Sequence, residues 1–427
     1  MHKFIFLLLP LAFVCACQKN EPAPPPPPDD HPFSVTLDNG FGLLQNHYVA
    51  YLSDTEGKIV AYRGLKSTDT TQLTAPGQPV GAALDLTIAE TKTFHTASGN
   101  GQDSSLSLRT FVAVPNGAFV RLRDQEYRQE CGLSITFTGI TSFDSIIVPD
   151  GVAYSRPQAL NNYTGVYRAF HTGKIWLRIL VNGETDWRYM FFDNVQAPNI
   201  DLSVDVHLLP IETHPKTLQL PFVSPWQYRI DGIIDTAQHR FLPLGDLLRA
   251  PGGSQPVFDK IAVFEPIRFD PLAPTDPPYQ GFRLRFEGKA PNGDTYFYDN
   301  FAQTLPTELP DIPSQLTPTT LSDNRLAGVR CSGDPDVLVL RRTNTRIVWE
   351  TYAKPAPDFF YRLPNVPVSL GFAWPDLYNY DFGQTVRARA ENYTLLGGYE
   401  AVLGRIFAGT DRFWQAKAGY VGKEIEL

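Results

Sequence analysis

The chain has 427 residues, 43% of them hydrophobic and 19% charged. At roughly 150 residues per domain this predicts about three domains with packed cores and excludes wholesale disorder. The charge, 37 − 45 = −8, excludes a nucleic-acid binder held by phosphate contacts. Pro (37) and Gly (32) stand beside Tyr (19) and Phe (28), and rings with turn formers at that density predict many short strands.

Lys3 precedes an apolar run, Phe4–Val14, interrupted by Pro10. The run is too short to span a bilayer, which takes about 20 residues, and it fits the apolar part of a secretory signal. Val14-Cys15-Ala16-Cys17 then resembles a bacterial lipobox, with a small aliphatic residue three before the modified Cys and a small residue directly before it. The resemblance implies a signal peptide over residues 1–16 and lipid on Cys17. Cys15 departs from the usual Ala, Ser or Thr, and a soluble secretory signal with an accidental Cys is the alternative. Gln18 rather than Asp after the modified Cys implies the outer membrane. Two or three acyl chains hold a protein on a membrane stably where one does not. Residues 17–32 read as a linker. Within it Pro24–Pro28 form a stiff rod of about 3 Å per residue that lifts the folded part off the lipid.

Once Cys15 leaves and Cys17 is lipidated, Cys131 and Cys331 remain. In an oxidising compartment they are expected to be bridged or separately buried.

Strand signals recur after the linker. Tyr48–Leu52 and Lys58–Tyr62 flank Asp54-Thr55-Glu56-Gly57, a hairpin with Gly at the left-handed position of its turn. Lys174–Tyr189 turns around Asn182-Gly183, Phe282–Tyr298 around Pro291–Asp294, and Val337–Trp349 around Thr343-Asn344. In the second of these a two-residue turn sets apolar residues beside charges. A three-residue loop, Val181–Gly183, pairs Arg178 with Asp186 and Leu177 with Trp187. It is therefore expected, with Ile179, Trp187 and Tyr189 on the core face and Trp176, Arg178 and Arg188 on the solvent face. Short helices are expected over 241–249 and 398–407. The polar stretch 96–104 and the Pro-rich stretch 305–318 divide the folded part into modules at 33–100, 101–305 and 318–427. Gly252–Ser254 marks an internal loop or a further boundary.

Asp201, Ser203, Asp205 and His207 alternate with Leu202, Val204, Val206 and Leu208, so the four polar side chains share one strand face. Asp205 and His207, with His214 or His239, are the donor types of a metal site or an acid–base pair. The solvent face of a half-buried strand explains the same pattern without a ligand. Asn292-Gly293-Asp294, Asp299-Asn300 and Asp334-Pro335-Asp336 are rich in oxygen but lack the spacing of an EF-hand, and turn chemistry accounts for them. No nucleophile-elbow, zinc-protease or phosphate-loop motif stands in the context it requires. No cofactor or metal is expected. Trp176 is the tryptophan that the register turns outward, to stack on a sugar or on Arg188.

These readings predict an all-β chain of several antiparallel β-sandwich modules in tandem after a disordered, lipidated N-terminus. Such a chain resembles the bacterial surface lipoproteins with Ig-like or prealbumin-like modules. The resemblance implies a binding or scaffolding role without enzymatic activity. The expected partners are the membrane, through the lipid, and envelope proteins or surface polysaccharide, with no nucleic acid. Trp176, Asp205 and His207 are the expected ligand contacts. The alternatives are a glycan binder that uses exposed rings and a glycan hydrolase whose acid pair hides among 45 carboxylates.

Overall fold

A computed structural model describes residues 32–38, 46–65, 70–79, 81–95, 102–122, 129–148, 152–158, 161–169, 173–195, 199–211, 215–219, 224–235, 240–247, 260–264, 281–289, 294–304, 306–309, 314–319, 325–380, 385–408 and 420–427. The expected signal peptide, Cys17, nearly all of the linker and Gly252–Ser254 lie outside the described residues.

The described chain is all-β, with short helices only. A twelve-stranded sheet runs through its middle. Its strands, in order, are Arg240–Leu247, Ser224–Asp235, Gly281–Lys289, Thr295–Ala302, Tyr420–Glu426, Thr385–Tyr393, Val337–Thr343, Ile347–Ala353, Gln102–Val114, Leu84–His95, Asn46–Ser53 and Ile59–Leu65. Three expected hairpins lie in it: Asn46–Ser53 with Ile59–Leu65, Gly281–Lys289 with Thr295–Ala302, and Val337–Thr343 with Ile347–Ala353.

Both faces of the sheet are covered where these segments meet. Val337 and Val339 point into one core and Leu338 and Leu340 into the other, as period-two alternation requires. The first core is closed by a sheet of Thr70–Ala75, Phe33–Asp38 and Ala118–Arg121 and by a helix, Tyr399–Phe407, which holds Tyr399, Val402, Leu403 and Phe407 in it. This helix was expected. The second core is closed by a sheet of Gln315–Pro318, Leu326–Ser332 and Asp358–Arg362, called the C-terminal sheet below. A separate sandwich spans 129–211, with Ile135, Phe137, Phe143, Ile146, Ile179 and Val204 in its core.

Several expectations are corrected. The polar stretch at 96–104 is no boundary: Leu84–His95 and Gln102–Val114 on either side of it pair from Leu84–Val114 to His95–Gln102. The helix expected over 241–249 is an edge strand, Arg240–Leu247, and an edge is where a sheet tolerates Pro243. In the hairpin at 174–189, Arg178 pairs with Tyr189 and Ile179 with Arg188, so the register is shifted by three residues from the one expected. The connection is longer because the Arg188 guanidinium holds Glu184 through two bonds of 2.9 Å and donates to the Val206 and Leu209 carbonyls. Trp187 is half-buried rather than core, whereas Ile179 and Tyr189 are buried. Cys331 is a free thiol buried in the second core, which is the second of the two outcomes the sequence left open for it. Burial pushes its pKa up to about 11, which keeps it protonated and inert. The backbone of Cys131 belongs to the 129–211 sandwich, and its side chain lies outside the described residues.

One glycine is required twice over. Gly57 has φ +80°, and a Cβ there would come within 3.1 Å of the Pro364 backbone. Gly183 shares the sign of φ at +86°, but a Cβ there meets nothing. Gly57→Ala should therefore lower stability by roughly 1–3 kcal/mol and Gly183→Ala by about 1 kcal/mol. Equal losses in denaturant melts would show that the close approach contributes nothing.

Candidate binding surface

Among the described residues nine large apolar side chains are exposed, and four of them fall between positions 360 and 378: Phe360 (54%), Val368 (65%), Phe372 (75%) and Tyr378 (46%). Lone exposed apolar residues are ordinary, but a local concentration marks an interaction surface.

The strand Asp358–Arg362 carries the first of them. Tyr361 points into the second core, Phe359 packs against that core, and Asp358, Phe360 and Arg362 are exposed. Gly328 stands opposite Phe360 in the register and brings no side chain to cover it. On either side of that pair stand Arg362 opposite Leu326 and Arg330 opposite Asp358, the latter ion-paired at 3.0 Å. Three consecutive rings hide the alternation. The legible signal was that charges two positions before and after Phe360 put it on the polar face.

Two short helices follow, α1 (Val368–Ala373) and α2 (Asp376–Asn379). Leu370, Trp374 and Leu377 are buried in the second core, at the i, i+4, i+7 spacing of one helical face. That spacing is present in the sequence, between Pro367 and the residues after Pro375. The opposite side presents Val368, Phe372 and Tyr378. The rings of Phe372 and Tyr378 meet edge to face at 82°, and the Tyr378 hydroxyl donates to the Val368 carbonyl. A Cβ on Gly371 would overlap the Tyr378 ring, so glycine is what lets the two helices close.

Arginines brace this stretch. Arg325 donates to the Leu363 carbonyl at 2.7 Å and lies 4.6 Å over the Tyr380 ring. Tyr380 in turn donates to the Pro364 carbonyl. Arg346 sits 5.4 Å over the Trp374 ring and pairs with Asp103. Each such cation–ring contact contributes about 0.5–2 kcal/mol.

Beneath the mount lies a buried polar link. Asp85 accepts from the Tyr361 hydroxyl and from the Ala113 amide, each at 2.9 Å. Ala113 has φ +57°, strained for a residue with a Cβ, at a register shift in the Leu84–His95 pairing. Burial raises the Asp85 carboxyl to about 6, while the Ala113 and Tyr361 bonds oppose the shift and the Asp54 charge adds to it. Asp54 itself accepts from the amides of Glu56 and Lys58 in its own turn. Nearby, the Trp349 indole donates to Thr110, whose hydroxyl bonds that of Thr87 at 2.8 Å.

The sequence-expected site residues are not brought together here. Asp205 ends the strand Asn199–Asp205 and accepts from the amide of His207, which starts back over a 3₁₀ turn, Val206–Leu208. The His207 ring reaches the Gly139 carbonyl at 3.1 Å. Both residues are exposed, so the solvent-face reading describes them. The side chain of Trp176, and His214 and His239, lie outside the described residues. Asp294 and Asp299 pair with Lys423 and Arg283. Asp336 accepts from the amides of Tyr393 and Gly398. These carboxylates serve the protein's own cations and backbone, as turn and strand chemistry implied.

No family model and no curated protein matches the chain. Among solved structures it is similar to the truncated tip fimbrial protein Mfa3 from Porphyromonas gingivalis, at 10% identity and a TM-score of 0.17, over 38% of this chain and 81% of that one. It is also similar to a protein of Bacteroides ovatus described as a candidate cell adhesion protein, at 11% identity and a TM-score of 0.14, over 43% and 95%. A third likeness is to the TIE protein of Bacillus anthracis, at 9% identity and a TM-score of 0.12, over 76% and 62%. At TM-scores of that size the superpositions fix neither fold nor role.

The Asp85 link predicts a pH signature. The folded value, about 6, lies above the ordinary 3.8, so the folded state binds the proton more tightly than the unfolded one. Stability is then greatest below about pH 4 and declines as pH rises toward 6, by roughly 3 kcal/mol. Asp85→Asn keeps an acceptor for Ala113 and cannot ionise. The stability of wild type relative to Asp85→Asn should therefore fall across pH 4–7, as measured by denaturant melts. A pH-independent difference would mean that Asp85 is not raised.

Proposed function

We propose that this is a lipid-anchored cell-envelope protein whose folded body binds or scaffolds and does not catalyse. The lipobox-type segment ending in Cys17 and the proline rod after it support the anchor. The observation that carries the binding role is the braced run of exposed apolar side chains from Phe360 to Tyr378. Side chains that could have been buried are held outward on a mount fixed by Leu370, Trp374 and Leu377, and preorganisation of this kind lowers the cost of engaging a partner.

Fractionation tests the anchor: Cys17→Ser should move the protein out of the membrane pellet or stall its processing, and an unchanged pellet overturns it. A photo-crosslinking residue in place of Phe372, in intact cells, tests the surface. Crosslinking to a partner supports the binding role, and persistent absence of any adduct, with a working control at an interior position, overturns it.

A further inference from the structure

We propose that the outer face of the C-terminal sheet, centred on Phe360, is a contact site for an acidic polysaccharide, an inference that rests on the binding role above. The face is a row of three cross-strand pairs in which one exposed ring stands between two pairs that each carry an arginine: Arg362 with Leu326, Phe360 with Gly328, and Asp358 with Arg330. Gly328 opposite the ring is itself buried and brings no side chain, so the ring is the apolar surface that this pair presents. A pyranose offers an apolar face for such a ring, and its hydroxyls and carboxylate suit the donors and acceptor two positions away.

The charge selects an acidic chain. On this row two arginines stand against one aspartate, in a protein whose net charge is −8. A planar guanidinium is the side chain best matched to a carboxylate.

The row also argues against a membrane as the occupant. A bilayer surface rewards a contiguous apolar protrusion, whereas Phe360 has charged residues on both sides along its strand, Asp358 and Arg362. The edge-to-face pair Phe372–Tyr378 offers no flat platform for a sugar, which leaves Phe360 as the stacking ring of the exposed 360–378 stretch.

Affinity electrophoresis of the full chain in detergent tests this, with polygalacturonate in the gel and neutral dextran as control. Retardation is expected in polygalacturonate and not in dextran, and it should weaken as salt rises. Phe360→Ala should weaken binding at least tenfold and Phe360→Trp should retain it. Arg362→Ala and Arg330→Ala should each weaken it several-fold. Unchanged thermal melts confirm that the variants fold. No retardation by polygalacturonate, or retardation indifferent to Phe360→Ala, overturns the proposal. So does Phe360-dependent sedimentation with phosphatidylglycerol vesicles in the absence of polygalacturonate binding. The fractionation of Cys17→Ser and the crosslink at position 372 do not depend on this face, so their outcome separates failure of the site from failure of the binding role.

Discussion

The parallel pairing of Ile347–Ala353 with Gln102–Val114 is the constraint on which the structure depends. It sets Ile347 beside Leu106 and Tyr352 beside Phe111, and the Trp349–Thr110 bond that accompanies it joins residues 239 apart in sequence. Parallel neighbours require a long crossover, and closing so long a loop costs entropy before any contact forms. Burial of both faces offsets that cost. Phe111 lies in the first core with Val337 and Val339, and Leu106 and Leu108 lie in the second with Leu338, Leu340 and Trp349. Neither end of the chain could close these cores alone. The 129–211 sandwich, which has its own core, lies within the crossover.

The exposed stretch inherits its rigidity from that joint. Besides sharing the second core with Ala89, Leu106 and Leu108, the C-terminal part is tied to the N-terminal segment by polar contacts. The Tyr361 hydroxyl reaches Asp85, the Asn365 amide donates to the Gly57 carbonyl at 2.7 Å, and Arg346, beneath Trp374, pairs with Asp103. The Asp85 contact is the most constrained, because a buried carboxylate needs its donors. One donor is an amide of a strained bulge and the other a phenol from another sheet. Loss of either would leave part of a buried charge unsatisfied, so the bulge and the sheet above it are tied to the same side chain.

Local grammar was legible in the sequence and long-range assembly was not. Gly57 and Asn344 marked their turns correctly, because the requirement for a left-handed residue, or for a side chain that caps its own turn, is confined to a few positions. The 174–189 hairpin was misread for a physical reason. Cross-strand pairing treated Arg188 as a solvent-face charge, whereas it is spent on Glu184 and on carbonyls of the 206–209 segment. The polar stretch at 96–104 resembled a linker in composition, and composition alone does not separate a linker from a hairpin connection. Nothing in the sequence singles out Asp85: its partner Tyr361 is 276 residues away, and no local pattern announces such a bond. The α1–α2 face was present as a helical spacing of Leu370, Trp374 and Leu377, but two prolines, Pro367 and Pro375, broke the run into pieces shorter than periodicity can establish.

The central sheet also shows how a wide sheet limits its apolar face. On the strand Val337–Thr343, Val337 and Val339 face the first core, and Arg341, next in the same alternation, pairs with Glu350. Beyond it the same face continues as Arg387 with Glu424, Arg389 with Glu391, Arg283 with Asp299 and Arg285 with Asp231. The pairing registers place these residues on one side of the sheet from Ser224–Asp235 to Val337–Thr343. Several are nearly buried, Glu391 at 2% and Glu424 at 3%, with Arg389 stacked 5.1 Å from the Phe297 ring. A buried ion pair seldom outdoes an apolar pair in stability, but removal of one partner is costly. Its better attested effect is on specificity. A strand slipped by one residue would turn these charges toward Ala388 and Ala390 in the second core. Apolar burial thus holds the sheet where the two ends of the chain meet, and paired charge fixes its register where that burial ends.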